Sequence, residues 1–177
     1  MRTAFTYRKA EPGDALRLSV LYKQVYIQTY GTVGVSTEFA NFITKQFAVE
    51  RIEGVIANQP DNLYVAVYKD NLVGVAEIDF DKQCPLNNIV APEINKLYVL
   101  EWFTGKGVGH GLMAAAERML ASKGAPQVWL WVYVLNTRAI AFYERQGYEW
   151  IGNASFQMEF NSYENKVMLK QLQREIN

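Results

Sequence analysis

One cysteine and one histidine are all that the 177 residues hold of two side chains much used for metal binding and nucleophilic catalysis. Cys84 alone makes no internal disulfide framework, and neither it nor His110 supplies the several sulfur or imidazole ligands of a zinc site. A Ser/His triad would have to recruit His110. An excess of charge of one sign is lacking too. The 18 basic and 18 acidic residues balance, so no global field draws the chain to nucleic acid or an anionic membrane, and a charged ligand must be met by a local patch. No apolar run approaches the roughly 20 residues of a membrane span, and the opening MRTAFTYRKA holds no apolar signal core. The expectation is a cytoplasmic protein with no metal, no nucleic-acid partner and no membrane partner. Asn153-Ala154-Ser155 matches a glycosylation acceptor, which without a secretion signal is read as incidental.

Half of the residues are apolar, enough for one compact domain over residues 1–177 with a sizeable core. Residues 4–8 read as a first strand, and Glu11-Pro12-Gly13-Asp14 opens a helix in which Leu16, Val20, Tyr22, Val25, Tyr26 and Tyr30 recur at mostly helical spacing. Gly31-Thr32-Val33-Gly34 breaks it. Ser36 or Thr37 caps a second helical stretch toward Asn58. Residues 63–68 and 72–80 are strands around the turn signal Lys69-Asp70-Asn71, and residues 82–88 are a surface connection that carries Cys84. Residues 93–99 form a strand, 107–123 a helix, and the almost wholly apolar 127–134 a parallel strand covered on both faces. Asn136 caps a shorter helix ended by Gly147, and residues 150–158 and 165–172 close the sheet as an antiparallel pair. The class is α/β, a central mixed sheet flanked by helices.

Gly105, Gly107, Gly109 and Gly111 alternate with Lys106, Val108 and His110 where the strand gives way to the long helix. Glycine lets backbone turn sharply and lie bare against a ligand, and the N–H groups of a helix start favour phosphate. The nucleotide-hydrolase loop fails here, because Gly105-Lys106 is followed by Gly107 rather than Ser or Thr. The dinucleotide fingerprint fails as well, since His110 stands at its third glycine and no acidic residue closes the next strand.

The run from Tyr98-Val99 through Thr104-Gly105-Lys106-Gly107-Val108-Gly109-His110 resembles the acetyl-CoA signature Q/R-x-x-G-x-G/A of the GCN5-related N-acetyltransferases. The stretch from Asn136 to Tyr148, with Ala139, Phe142, Tyr143 and Gly147, is similar to that family's N-x-x-A-x-x-F-Y-x-x-x-G-F/Y. Thr104 stands where the signature prefers Gln or Arg. The resemblance implies the family's acyl-CoA fold over the whole chain, with acetyl-CoA as cosubstrate and a small-molecule amine as acceptor. It extends to the bacterial spermidine/spermine type through residues 92–99 and 154–158. Aminoglycosides, protein N-termini or lysines, and amino acids are the alternative acceptors. A catalytically silent acetyl-CoA sensor is a rival of another class.

By the same resemblance, Thr104, Gly105, Lys106, Gly107, Val108, Gly109 and His110 line the pyrophosphate, and Leu97, Tyr98 and Val99 pair with pantetheine from a splayed strand. A backbone N–H of Val99 or Leu100 faces the developing oxyanion. An amine of pKa near 10 must lose a proton to attack. Glu93 occupies the base position, against an ordinary rim carboxylate, and Tyr143 the position of the acid that protonates the leaving thiolate, against a packed aromatic. Asn136 is a helix cap that also reaches cofactor or substrate. Glu77, Asp79 and Asp81 alternate along one strand, as a row attracting a cationic acceptor or as a solvated face. Tyr22, Tyr26, Tyr30 and Phe39 either wall an acceptor pocket or belong to the core. The apolar final strand around Val167-Met168-Leu169 would allow a homodimer.

Overall fold

The computed structural model describes residues 5–172; Ala4, the expected start of the first strand, lies outside them. Seven strands, β1 (Thr6–Lys9), β2 (Leu63–Tyr68), β3 (Asn71–Gln83), β4 (Val90–Val99), β5 (Gln127–Tyr133), β6 (Glu149–Gln157) and β7 (Ser162–Gln171), lie in the order β1-β2-β3-β4-β5-β7-β6. Five helices accompany them: α1 (Ala15–Tyr30), α2 (Thr37–Gln46), α3 (Val49–Asn58), α4 (Val108–Ser122) and α5 (Thr137–Arg145). The sheet is mixed, β4 and β5 being parallel and β5 and β7 antiparallel. None of the described helices is long and apolar enough to cross a membrane. The described chain gathers into two compact units, residues 5–77 with 96–115 and residues 78–95 with 116–172.

In the first unit the β2–β3 hairpin closes with Tyr68 opposite Asn71. Lys69 and Asp70 both have positive φ, 47° and 64°, as the tightest two-residue hairpin turns require. Helix α1 turns Leu18, Leu21, Tyr22 and Val25 to the core, while Leu16 and Val20 are exposed, so the expected apolar face is rotated toward 18, 21, 22 and 25. Asp14, wholly buried, fixes the entry to α1 by accepting from Arg8 (2.6 and 3.2 Å), Arg17 (2.5 Å) and the Glu11 N–H (2.8 Å). Burial pushes its carboxyl up, but those hydrogen bonds and the two guanidinium charges win and hold it below its ordinary value.

The single second helix expected from 36 to 58 is two helices. Ser36 does cap α2, its Oγ accepting from the Phe39 N–H at 3.2 Å, but Phe47 and the extended Ala48 interrupt the run. The cause is tertiary. Phe47 is completely buried and stacks on Tyr22 at 5.1 Å, while its carbonyl accepts from Ser19 Oγ at 2.5 Å. Burying such a ring is worth about 1.5–3 kcal/mol, enough to outweigh one interrupted helical turn.

In the second unit β5 is paired by β4 on one side and β7 on the other, with Val128, Trp129 and Leu130 buried. The Trp129 Nε1–H donates to Ala91 O at 3.2 Å. One expectation is corrected here. Residues 82–88 are no purely superficial connection, because Cys84 is wholly buried against Ala91, Trp129 and Val167. The apolar strand β7 is interior, with Val167 and Met168 buried, and the strand at the sheet edge is β6.

Candidate functional site

The first unit presents the glycine loop. Strand β4 runs into a 3-10 turn, Glu101–Phe103, and Thr104 leads to α4. Gly105 and Gly107 have φ of 72° and 86°, and a Cβ added at either would meet nothing within 4 Å. Their glycines are therefore demanded by backbone conformation and leave the loop's surface open. Gly111 is the opposite case. A Cβ there would come within 2.0 Å of the Tyr7 ring, so its glycine serves packing in the first turns of α4. Val108 and Leu112 are buried, and a Cβ on Gly74 of β3 would crowd both of them. That close approach seats the helix start on the strands.

Thr104 turns its hydroxyl back to Glu101 O at 2.8 Å, occupying the place of the signature's long polar side chain with a local hydrogen bond. Lys106 lies with its ammonium 5.2 Å from the Trp102 ring and 5.4 Å from that of Phe103. Gly109 and the exposed His110 fall within the first turn of α4. Leu97, Tyr98 and Val99 are half-buried at the end of β4. One of the two expected oxyanion donors is committed elsewhere, because the Leu100 N–H donates to Val73 O at 3.0 Å. Val99 remains.

The carboxylate row is corrected by the same unit. Glu77 is no rim group. Its side chain is 1% exposed and accepts from Tyr22 at 2.7 Å and Arg51 at 2.5 Å, with the Lys96 ammonium at 3.3 Å. Burial raises its pKa, yet the Lys96 charge and the Arg51 hydrogen bond outweigh that and hold it below the ordinary carboxylate value. Burial, then the Glu77 charge, drive Tyr22 well above its usual value. Tyr22 is thus core, and Tyr26, half-buried, packs among Tyr30, Phe39, Phe42 and Phe47 at ring distances of 4.6–5.4 Å. A lysine in β4 among Ile94, Leu97 and Tyr98 was the sequence signal for a buried partner. The partner itself was not legible.

The second unit holds the other motif. Glu93 is half-buried on β4, opposite Trp129 of β5. Asp79, a quarter exposed, accepts from Asn95 Nδ2 at 2.6 Å, and Asp81 departs from extended backbone with φ of 53°, so the expected alternation ends there. Asn136 caps α5, its Oδ1 accepting from the Ala139 N–H at 3.2 Å. Tyr143 is 8% exposed, with ring centroids of Phe142 and Tyr148 at 5.4 and 5.9 Å. Tyr148 donates to Glu117 Oε1 at 3.1 Å, and Lys170 to Glu117 Oε2 at 2.7 Å.

Both motifs thus sit at the start of a helix that follows a strand, in the order and spacing of the acetyltransferase signatures. The sequence pattern of the Acetyltransferase (GNAT) family matches residues 32–148. The chain belongs to that family. Among GNAT relatives, an uncharacterized N-acetyltransferase of Mycobacterium bovis is 34% identical over 80 residues, 45% of this chain. The chain spans 51% of that relative's length. The spermidine N(1)-acetyltransferase of Thermoplasma acidophilum is 23% identical over 148 residues, 80% of this chain and 86% of the relative. In solved structures, the PaiA N-acetyltransferase of Thermoplasma acidophilum, crystallised with coenzyme A, matches with a TM-score of 0.73 at 20% identity, over 95% of this chain and 99% of that one. At such identity the likeness establishes the GNAT fold.

Proposed function

We propose that this chain moves an acetyl group from acetyl-CoA to a primary amine by direct attack. The observation that carries the reading is the open loop at the head of α4, where Gly105 and Gly107 take positive φ beside unobstructed space in a chain matched by the GNAT pattern. The N–H groups of residues 104–110 are proposed to hold the pyrophosphate, and Leu97, Tyr98 and Val99 the pantetheine. The backbone nature of these donors makes Thr104 sufficient at the signature's first position. The match over 32–148 crosses both units, and both are proposed to serve one acetyltransferase domain.

Acetyl-CoA supplies an activated thioester carbonyl. Glu93 removes a proton from the acceptor ammonium so that nitrogen can form the new C–N bond, and the Val99 N–H stabilises the carbonyl oxygen as it gains charge. Tyr143 gives its phenolic proton to sulfur as the C–S bond breaks, and the acylated nitrogen gives up its second proton to restore the phenol, yielding free thiol and amide. Asn136 starts α5 and so sets the helix that carries Tyr143.

A polyamine is proposed as the acceptor. Its support is the spermidine acetyltransferase among the relatives. Glu77 takes no part in that recognition, being committed to Arg51 and Lys96. The test is thiol release from acetyl-CoA with polyamines, aminoglycosides, amino acids and lysine peptides in parallel. Turnover with polyamines alone is expected. Replacing Tyr143 by Phe is expected to lower kcat by about 10²–10⁴-fold at unchanged acetyl-CoA affinity. Tight binding without turnover on any amine would favour the sensor, and no binding would refute the proposal.

A further inference from the structure

Tyr148 is one of the most buried phenols in the second unit, at 2% exposure, and its hydroxyl is bound to a carboxylate. Groups from α4, β7 and the connection between α5 and β6 meet there. Tyr148 donates to Glu117 Oε1 (3.1 Å) on α4, and Lys170 of β7 donates to Glu117 Oε2 (2.7 Å) while its ammonium lies 5.6 Å from the Tyr148 ring centre. A purely space-filling role at this place needs only a ring. The hydroxyl adds a fixed direction, because a buried phenol bound to an ionised acceptor is costly to move. Burial, and after it the Glu117 charge, raise the Tyr148 pKa well above its ordinary value.

Tyr148 is tied to Tyr143 twice. Its N–H donates to Tyr143 O at 3.0 Å, and its ring meets the Tyr143 ring at 5.9 Å and 63°. Phe142 flanks Tyr143 at 5.4 Å, but it is the next residue on the same helix and moves with it. Tyr148 therefore relates the Tyr143 ring to something outside α5. A proton donor loses much of its effect when displaced by fractions of an ångström.

We infer that Tyr148, anchored by Glu117 and Lys170, is a positioning residue that orients the Tyr143 phenol for proton delivery. The inference rests on the reading of Tyr143 as the acid. It is tested by measuring kcat and KM for Tyr148→Phe and Glu117→Gln, each in the native and in the Tyr143→Phe background, with thermal unfolding of every variant. In the native background each is expected to lower kcat at least about fivefold, with KM for acetyl-CoA within about twofold. In the Tyr143→Phe background the further loss is expected to be under about twofold.

Equal losses in both backgrounds, or no loss in the native one, overturn the inference while leaving the acid in place. Undiminished turnover in Tyr143→Phe alone overturns both. Should Tyr148→Phe not fold, Glu117→Gln carries the test, and return of kcat in Glu117→Asp, which keeps an acceptor for both donors, separates orientation from bulk packing.

Discussion

Each compact unit holds a glutamate, buried in one and half-buried in the other, that accepts from a tyrosine and faces a lysine, yet the two sites differ in kind. Glu77 lies under two cations, Arg51 and Lys96, with a side chain 1% exposed. Glu117 has Lys170 alone as its ion-pair partner among the described contacts, with side chains 16% and 24% exposed. The first ties β3, β4, α1 and α3 together, and its Tyr22 ring meets that of Tyr98, proposed to bind pantetheine, at 5.7 Å. The second ends one ring away from Tyr143. Similar chemistry thus makes a rivet in one unit and a pointing device in the other, and the difference lies in how dry the carboxylate is and what its tyrosine touches.

The sharpest way to break the comparison is Glu77→Ala. It strands two cations and a buried phenol, and a loss of about 3–5 kcal/mol in denaturant unfolding is expected. Glu117→Ala should cost less, about 1–3 kcal/mol, since Lys170 can reach water and the buried Tyr148 hydroxyl bears most of the loss. Acid sharpens the contrast further. The folded pKa of Glu77 is below its ordinary value of 4.5, so in that interval the unfolded chain binds more protons than the folded one. The Glu77 contribution is complete above the ordinary value and is lost as pH falls through the folded one. The stability gap between the native protein and Glu77→Gln is therefore expected to be constant from pH 6 to about 5 and to shrink below about 4.5. A gap that widens on acidification would contradict the assignment. Smallest of all, Lys82→Ala removes a cation 3.7 Å from Asp79, half-exposed on the same strand as Glu77; the change should stay under about 0.5 kcal/mol.

The parts legible in the sequence are those decided locally. The Lys69-Asp70 turn, the Ser36 and Asn136 caps and the positive-φ glycines of the loop need only their immediate neighbours, and each was readable. The break at Phe47 was not, because it depends on a tyrosine 25 residues upstream. Nor was the fate of Glu77: alternation placed it in line with Asp79 and Asp81 and was silent about Arg51 in a helix and Lys96 on the next strand. The commitment of the Leu100 N–H and the anchoring of Tyr148 fail to show for the same reason. Their partners, Val73, Glu117 and Lys170, are distant in sequence. The likeness to GNAT signatures is what proposes roles for Tyr143 and Glu93, which spacing alone leaves as an aromatic and a rim acid.

The interior place of β7 has a kinetic consequence. The strand 127–133 is almost wholly apolar, and its second edge is covered only when 162–171, some thirty residues later, slides between it and β6. Until then the chain carries a bare, sticky edge of the kind that recruits other chains. Refolding yield should accordingly fall with protein concentration, and a chain cut before Ser162 should aggregate although the whole of the glycine-loop unit precedes the cut.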